Sequence, residues 1–279
     1  MRRDRDGQGV ERRGVPLPAD RPARLLSATG RGAATAGTGR VGWFDCAAGA
    51  AGDMLLAALV DAGADLDVVA EHVGRLGVEP MTLRRTLVER HAIGAVKIDV
   101  IAPADAEHRT WKGVRALLDA ADLPGPVAAL AHDAFARLAA AEGRVHRIDP
   151  QDVHFHEVGA LDALADVVGV ASALHLLELD ELHASPVALG SGTSRGSHGL
   201  IPVPAPATLE ILRAAQAPCY AGPSPREMCT PTGAALLAAA VTTWGQLPRM
   251  VPRAIGVGAG SRDLAEVPNV VRLVVGDRA

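Results

Sequence analysis

Aromatic side chains are nearly absent from this 279-residue sequence, which has three Phe, three Trp and one Tyr. Val, Leu, Ile and Ala must therefore fill the interior. Hydrophobic residues make up 48%, enough for a chain of this length to bury a sizeable core. Cysteine is scarce as well: Cys46, Cys219 and Cys229 are odd in number, widely spaced and form no C-x-x-C. That excludes a disulfide framework and suits a reducing, cytoplasmic setting. No run of about 20 apolar residues is free of charge or turn signals, so no membrane span is expected. The N-terminus has arginines but no continuous apolar stretch, and does not read as a signal peptide. Lysine is also rare, with 2 Lys against 26 Arg. Positive charge is missing where a nucleic-acid binder would need it. The net charge is −4, yet residues 1–40 hold nine Arg against four acids, leaving −9 on the remainder. A body of that sign argues against a nucleic-acid partner.

What is present is an alternation of helical and extended patterns. Residues 1–39 are rich in Arg, Gly, Pro, Ala and Thr without hydrophobic period, and read as a disordered tail. Residues 40–279 read as one domain. Val41–Asp45 is an expected strand, followed by a turn of small residues and a helix over Met54–Ala62. A second helix is expected over Leu66–Leu76. The runs Thr82–Glu89 and Ala95–Ile101 alternate well enough to suggest a hairpin. Helices are expected at Trp111–Ala121, Val127–Gly143, Ala160–Leu179, Ala207–Ala215 and Gly233–Val241. Strands are expected at Val153–Val158, Glu181–Val187, Ala254–Val257 and Val270–Val275. Residues 190–206 read as a polar loop. The fold class is α/β, of the mixed α+β kind: one main body with short strands and several helices.

The strongest chemical signal is His154-Phe155-His156-Glu157. On an extended segment, His154 and His156 share a face, because side chains alternate. Two adjacent imidazoles are a start for Ni(II), Zn(II) or Fe(II), and equally compatible with a hydrogen-bonded core pair. Asp162 and Asp166 lie one helical turn apart on the next helix. Either can add a carboxylate ligand or orient a His ring. The turn Gly49–Asp53, with Gly52, joins a strand to a helix. Its backbone N–H groups can face an anion, or it is simply a tight turn. The segment Gly190–Gly199, with Arg195 and His198, can wrap a phosphate but lacks the ending of a P-loop. Thr230-Pro231-Thr232-Gly233 starts an apolar helix, as a cap or as an anion site.

Together these segments resemble the LarC-type nickel-insertion proteins. The resemblance is carried by Phe44-Asp45 with Gly49–Asp53, His154–Ala160, His198-Gly199 with Pro202–Thr208, Thr230–Ala234, and Gly256–Asp263 with Pro268-Asn269-Val270. These segments occur in the family's order over about residues 40–276. The resemblance implies insertion of Ni(II) into a pyridinium mononucleotide bearing two thiocarboxylates, forming the nickel-pincer cofactor. It also implies coupling to CTP hydrolysis with Mn(II) or Mg(II). On that basis His154, His156 and Asp166 are candidate nickel ligands. Glu157 and Asp162 are candidates for taking the proton from the ring carbon. Gly49, Gly52, Asp53, Arg195, His198, Thr230, Thr232 and Gly233 are candidates for holding the mononucleotide. Two departures stand out. A His-rich segment of the family is reduced here to His108, and a C-terminal, ferredoxin-like domain associated with CTP is expected as a partner chain or is missing. A carrier of nickel or of the precursor without turnover, and a mononuclear metallohydrolase, remain alternatives.

Overall fold

The computed structural model describes residues 39–103, 109–155, 161–196 and 199–279. The order begins β1 (Arg40–Asp45), α1 (Gly52–Asp61), α2 (Leu66–Gly74), β2 (Thr82–Arg90), β3 (Ile93–Ile101), α3 (Trp111–Ala120) and α4 (Gly125–His146). It continues with α5 (Leu161–Leu177), β4 (Glu181–Ala184), β5 (Val187–Ala188), β6 (Gly192–Gly196), β7 (Gly199–Val203) and α6 (Pro206–Ala214). It closes with β8 (Cys219–Tyr220), α7 (Pro231–Ala240), β9 (Thr243–Trp244), β10 (Met250–Ala259) and β11 (Val270–Arg278).

Helix starts follow local chemistry. Asp65 caps α2 by accepting from the Asp67 amide at 2.9 Å, and Thr110 caps α3 by accepting from Gly113 at 3.0 Å. Pro126, Pro206 and Pro231 occupy the first turns of α4, α6 and α7, where a missing N–H costs nothing. No helix among the described residues is long and apolar enough to cross a membrane.

Seven strands form one mixed sheet in the order β2-β3-β10-β11-β1-β4-β9. The expected hairpin is there: β2 and β3 pair antiparallel from Thr82↔Ile101 to Arg90↔Ile93. β1 lies between β11, antiparallel with Phe44↔Leu273, and β4, parallel with Trp43↔His183. Helix α1 lies against β10 and β3 and also packs on α5. Its approach to β10 is very close. A Cβ on Gly258 would stand 2.0 Å from the Met54 carbonyl oxygen, so no larger residue fits under the helix. Helices α1, α5 and α7 are buried on nearly every face, as their continuous apolar composition requires. The few rings sit deep in this core: Phe44, Phe135 and Phe155 are each at most 1% exposed.

Three expectations change. The strand expected at Glu181–Val187 divides into β4, in the main sheet, and β5, which pairs with β8 apart from it. Residues 190–206, read as a loop, contain a hairpin in which β6 and β7 pair from Gly192↔Val203 to Gly196↔Gly199. A two-stranded ribbon held by backbone pairing needs no apolar period, so none announced it. The expected strand at 153–158 survives within the described residues as a single bridge between His154 and Thr110.

Candidate functional site

The turn after β1 is locked by a crossing with the segment that precedes α7. The Gly49 amide donates to the Cys46 carbonyl at 2.9 Å, and Ala50 donates to the Met228 carbonyl at 3.0 Å. Thr230 in turn donates its amide to the Ala50 carbonyl at 3.0 Å. Gly49 has φ of +91°, and a Cβ there would lie 1.9 Å from the Met228 oxygen. Gly233 meets Ala50 as closely: its Cβ would fall 2.3 Å from the Ala50 oxygen. Thr230 caps α7 by accepting from the Gly233 amide at 3.1 Å. Gly49 and Gly233 thus serve close packing, and the Gly49, Ala50 and Gly233 amides already have acceptors in the protein.

What this crossing presents is carboxylate. Asp53, in the first turn of α1, and Asp166, on α5, are both half-buried and face each other beneath Gly52. A Cβ on Gly52 would stand 2.4 Å from Asp166 Oδ2. Burial pushes the Asp166 carboxyl well above the ordinary aspartate value, and the charges of Asp53 and Asp162 push it further. The Asp53 amide donates to Asp166 and partly offsets that rise. Asp53 is raised too, mainly by burial, against the pull of the Met54 amide and the Ser261 hydroxyl. The Met54 amide donates to Asp53 Oδ1 at 2.8 Å, and Ser261 Oγ donates to Oδ2 at 3.3 Å. Asp162 is exposed at the first turn of α5 and accepts from the Ala163 amide at 2.9 Å. Two anions held this close in low dielectric favour a shared proton or a bound cation.

The structure thereby brings together Gly49, Gly52, Asp53, Asp162, Asp166, Thr230 and Gly233, with half-buried Thr232 in the first turn of α7. Sequence reasoning gave Ser261 no role. It lies within the Gly256–Asp263 motif, but a lone serine after glycines has no charge or period to mark it. Cys46 and Cys229 are fully buried, and burial drives both thiols up, which disfavours their thiolate forms in the metal-free chain.

The other candidates stand apart. His154 is exposed, and Phe155 beside it is a core residue whose ring lies 6.1 Å from that of Phe135. Arg195 is exposed on β6. His156, Glu157 and His198 lie outside the described residues. Among the described residues, no hydrogen bond or ion pair joins His154 to the carboxylates, and no group of three or more His, Cys, Asp or Glu is arranged to hold a metal ion.

A family model described as "Nickel insertion protein" matches residues 42–279. The chain belongs to the nickel insertion protein family. A relative from a Nocardioides species is 51% identical over 234 residues, covering 84% of this chain and 59% of the relative. That protein is named "Pyridinium-3,5-bisthiocarboxylic acid mononucleotide nickel insertion protein". Relatives from Geotalea uraniireducens and Roseiflexus castenholzii, 42% and 44% identical, cover 86% and 85% of the chain and also bear nickel insertion names. The chain spans about three-fifths of the length of these relatives, 59%, 61% and 60%. No solved structure matches.

Proposed function

We propose that this chain inserts nickel into pyridinium-3,5-bisthiocarboxylic acid mononucleotide to form the nickel-pincer cofactor. In this reading it is a CTP-dependent cyclometallase working with Mg(II) or Mn(II). The CTP-binding portion belongs to the part of the relatives' length that this chain does not span. The observation that carries the reading is the Asp53–Asp166 pair, in a chain half identical to a relative named for that substrate.

The chemistry is an exchange of metal for proton. Nickel stays Ni(II): a ring C–H bond breaks, a nickel–carbon bond forms, and one proton is released. A carboxyl with raised proton affinity is a better acceptor for that proton than an ordinary surface carboxylate. Asp53 and Asp166 can hold the incoming cation and take the proton once it leaves. Asp162 and Glu157 are further acceptors in the same stretch of chain. His154 and His156 then act as imidazole ligands that hand nickel to the two thiocarboxylates.

The test is nickel content and affinity of the wild type beside His154→Ala, His156→Ala and Asp166→Asn. A loss of about tenfold or more in affinity is expected for a lost ligand. Unchanged nickel affinity in all three variants would remove these residues from the site. Turnover is checked with Ni(II), CTP, Mg(II), the precursor and the portion of a relative that this chain does not span, following the pincer product by mass spectrometry.

A further inference from the structure

The main sheet ends in two edges of unlike construction. At one end β9 has two residues, Thr243 and Trp244. At the other end β2 has nine, and among the described residues it pairs with β3 alone. Long edges are commonly blunted by a proline, a bulge or a covering segment. β2 has no proline, and its register with β3 runs from Thr82↔Ile101 to Arg90↔Ile93 without a bulge. Near its centre is Leu87, the most exposed large hydrophobic among the described residues at 78%. Leu87 lies opposite the fully buried Val96, so the strand offers an apolar side chain to water at the rim of the core.

We propose that two copies of this chain pair through β2, antiparallel and about a two-fold axis at Leu87, so that one sheet runs through both. The charges on the strand carry this register. With Leu87 against Leu87 of the other copy, Arg85 faces Glu89 of that copy and Glu89 faces its Arg85, giving two opposite-charge pairs about one axis. Arg85 is half exposed and reaches Asp61 only at 3.8 Å, and exposed Glu89 has no ion-pair partner among the described residues. Arg85, Leu87 and Glu89 share one face of the strand, because side chains alternate. On the other face Thr86 meets Val88 of the other copy, a β-branched pair beside the apolar cluster of Ala95, Ala259 and Val270. Arg84 and Arg90 meet at the ends of the pairing, and each is already held within its own copy. Arg84 has Asp99 at 3.4 Å, and Arg90 donates to the Gly260 and Glu89 carbonyls at 2.9 and 3.0 Å. An axis at Thr86 would instead set Arg85 against Leu87 and Arg84 against Val88, and lose both ion pairs.

The full chain is followed by sedimentation velocity across a concentration series. The wild type sediments as a dimer that dissociates on dilution. Leu87→Lys sets two ammonium groups face to face at the axis and weakens the dimer by about a hundredfold or more. The side chain is exposed, so the change leaves the fold intact, which circular dichroism checks. Arg85→Glu and Glu89→Arg, taken singly, put like charges opposite each other on both sides of the axis. Each weakens the dimer by about tenfold. The two together restore it, because the pairs re-form with their signs exchanged. A wild type that stays monomeric across the whole series overturns the proposal. So does a dimer that Leu87→Lys leaves unchanged, since the contact then lies on another surface. Single reversals that weaken the dimer without recovery in the double variant overturn the register about Leu87.

Discussion

The acidic crossing and the flank of α3 have opposite constructions. At the crossing, amides of Gly49, Ala50, Asp53, Met54 and Gly233 donate to partners within the protein, and the glycines pack against backbone atoms. The backbone there is closely packed, and it presents carboxylates whose charge the surroundings resist. At the flank, the buried Arg109 stands 3.5 Å from Glu79, and the neighbouring His154 is exposed. A rigid site that disfavours its own charge suits a small cation or a proton. A buried guanidinium that already has a carboxylate partner is compensated within the protein.

The sharpest way to break this comparison is to disturb the crossing. Gly49→Ala adds a Cβ within 1.9 Å of the Met228 carbonyl at a φ of +91°. We expect it to cost on the order of 4 kcal/mol or more in urea unfolding. Gly63 is the control: its φ is +117°, yet nothing lies within 4 Å of an added Cβ. Gly63→Ala should cost only the backbone strain, roughly 1–2 kcal/mol. Equal losses at the two positions would show that the crossing is not the rigid element described.

Much of this was legible in the sequence, but unevenly. The helices were readable because caps, first-turn prolines and continuous apolar runs are local signals, and α1, α5 and α7 follow them within a few residues. The β2–β3 hairpin was readable for the same reason. β10 was read too short, since Gly256 and Gly258 face α1 and a glycine leaves no hydrophobic alternation. The two-residue strands β8 and β9 carry no period at all. In the site, the shared face of Asp162 and Asp166 was visible from their spacing of one turn. The meeting of Asp166 with Asp53, and of Asp53 with Ser261, depends on the packing of α1, α5 and the β10–β11 connection, which no local pattern encodes. The Gly49–Asp53 turn was read as a possible anion cradle because its glycines look the same whether they serve a ligand or a neighbouring backbone.

A second way to sharpen the comparison is pH. Both Asp53 and Asp166 hold protons more tightly in the folded chain than at the ordinary value of 3.8. The folded state therefore binds more protons than the unfolded state above that value. The stability tied to these groups is fully present below 3.8 and is lost as pH rises through their raised values. Asp166→Asn removes the carboxyl that burial disfavours most. It should flatten the fall in thermal midpoint between mild acid and neutral pH, and raise the midpoint of the metal-free protein near pH 7.5 by a few degrees. Adding Ni(II) to the wild type should act in the same direction as the proton. A variant whose midpoint falls with pH as steeply as the wild type would mean the pair does not carry this strain.

The smallest effect separates a residue that serves the fold from one that serves a ligand. Thr230 and His154 were both site candidates, and both lie in segments that carried the resemblance read from the sequence. Thr230 has a structural task, because its hydroxyl accepts the Gly233 amide at 3.1 Å and satisfies an amide in the first turn of α7. Thr230→Ala should cost about 1 kcal/mol. His154 is exposed, and its contribution to the fold is a backbone bridge that any residue can make. His154→Ala should change stability by less than about 0.5 kcal/mol. Chemical denaturation of the two variants side by side resolves this. If His154→Ala proved the more destabilising, the histidine would belong to the packed interior with Phe155, and the imidazole offered to nickel would have to come from elsewhere in the chain.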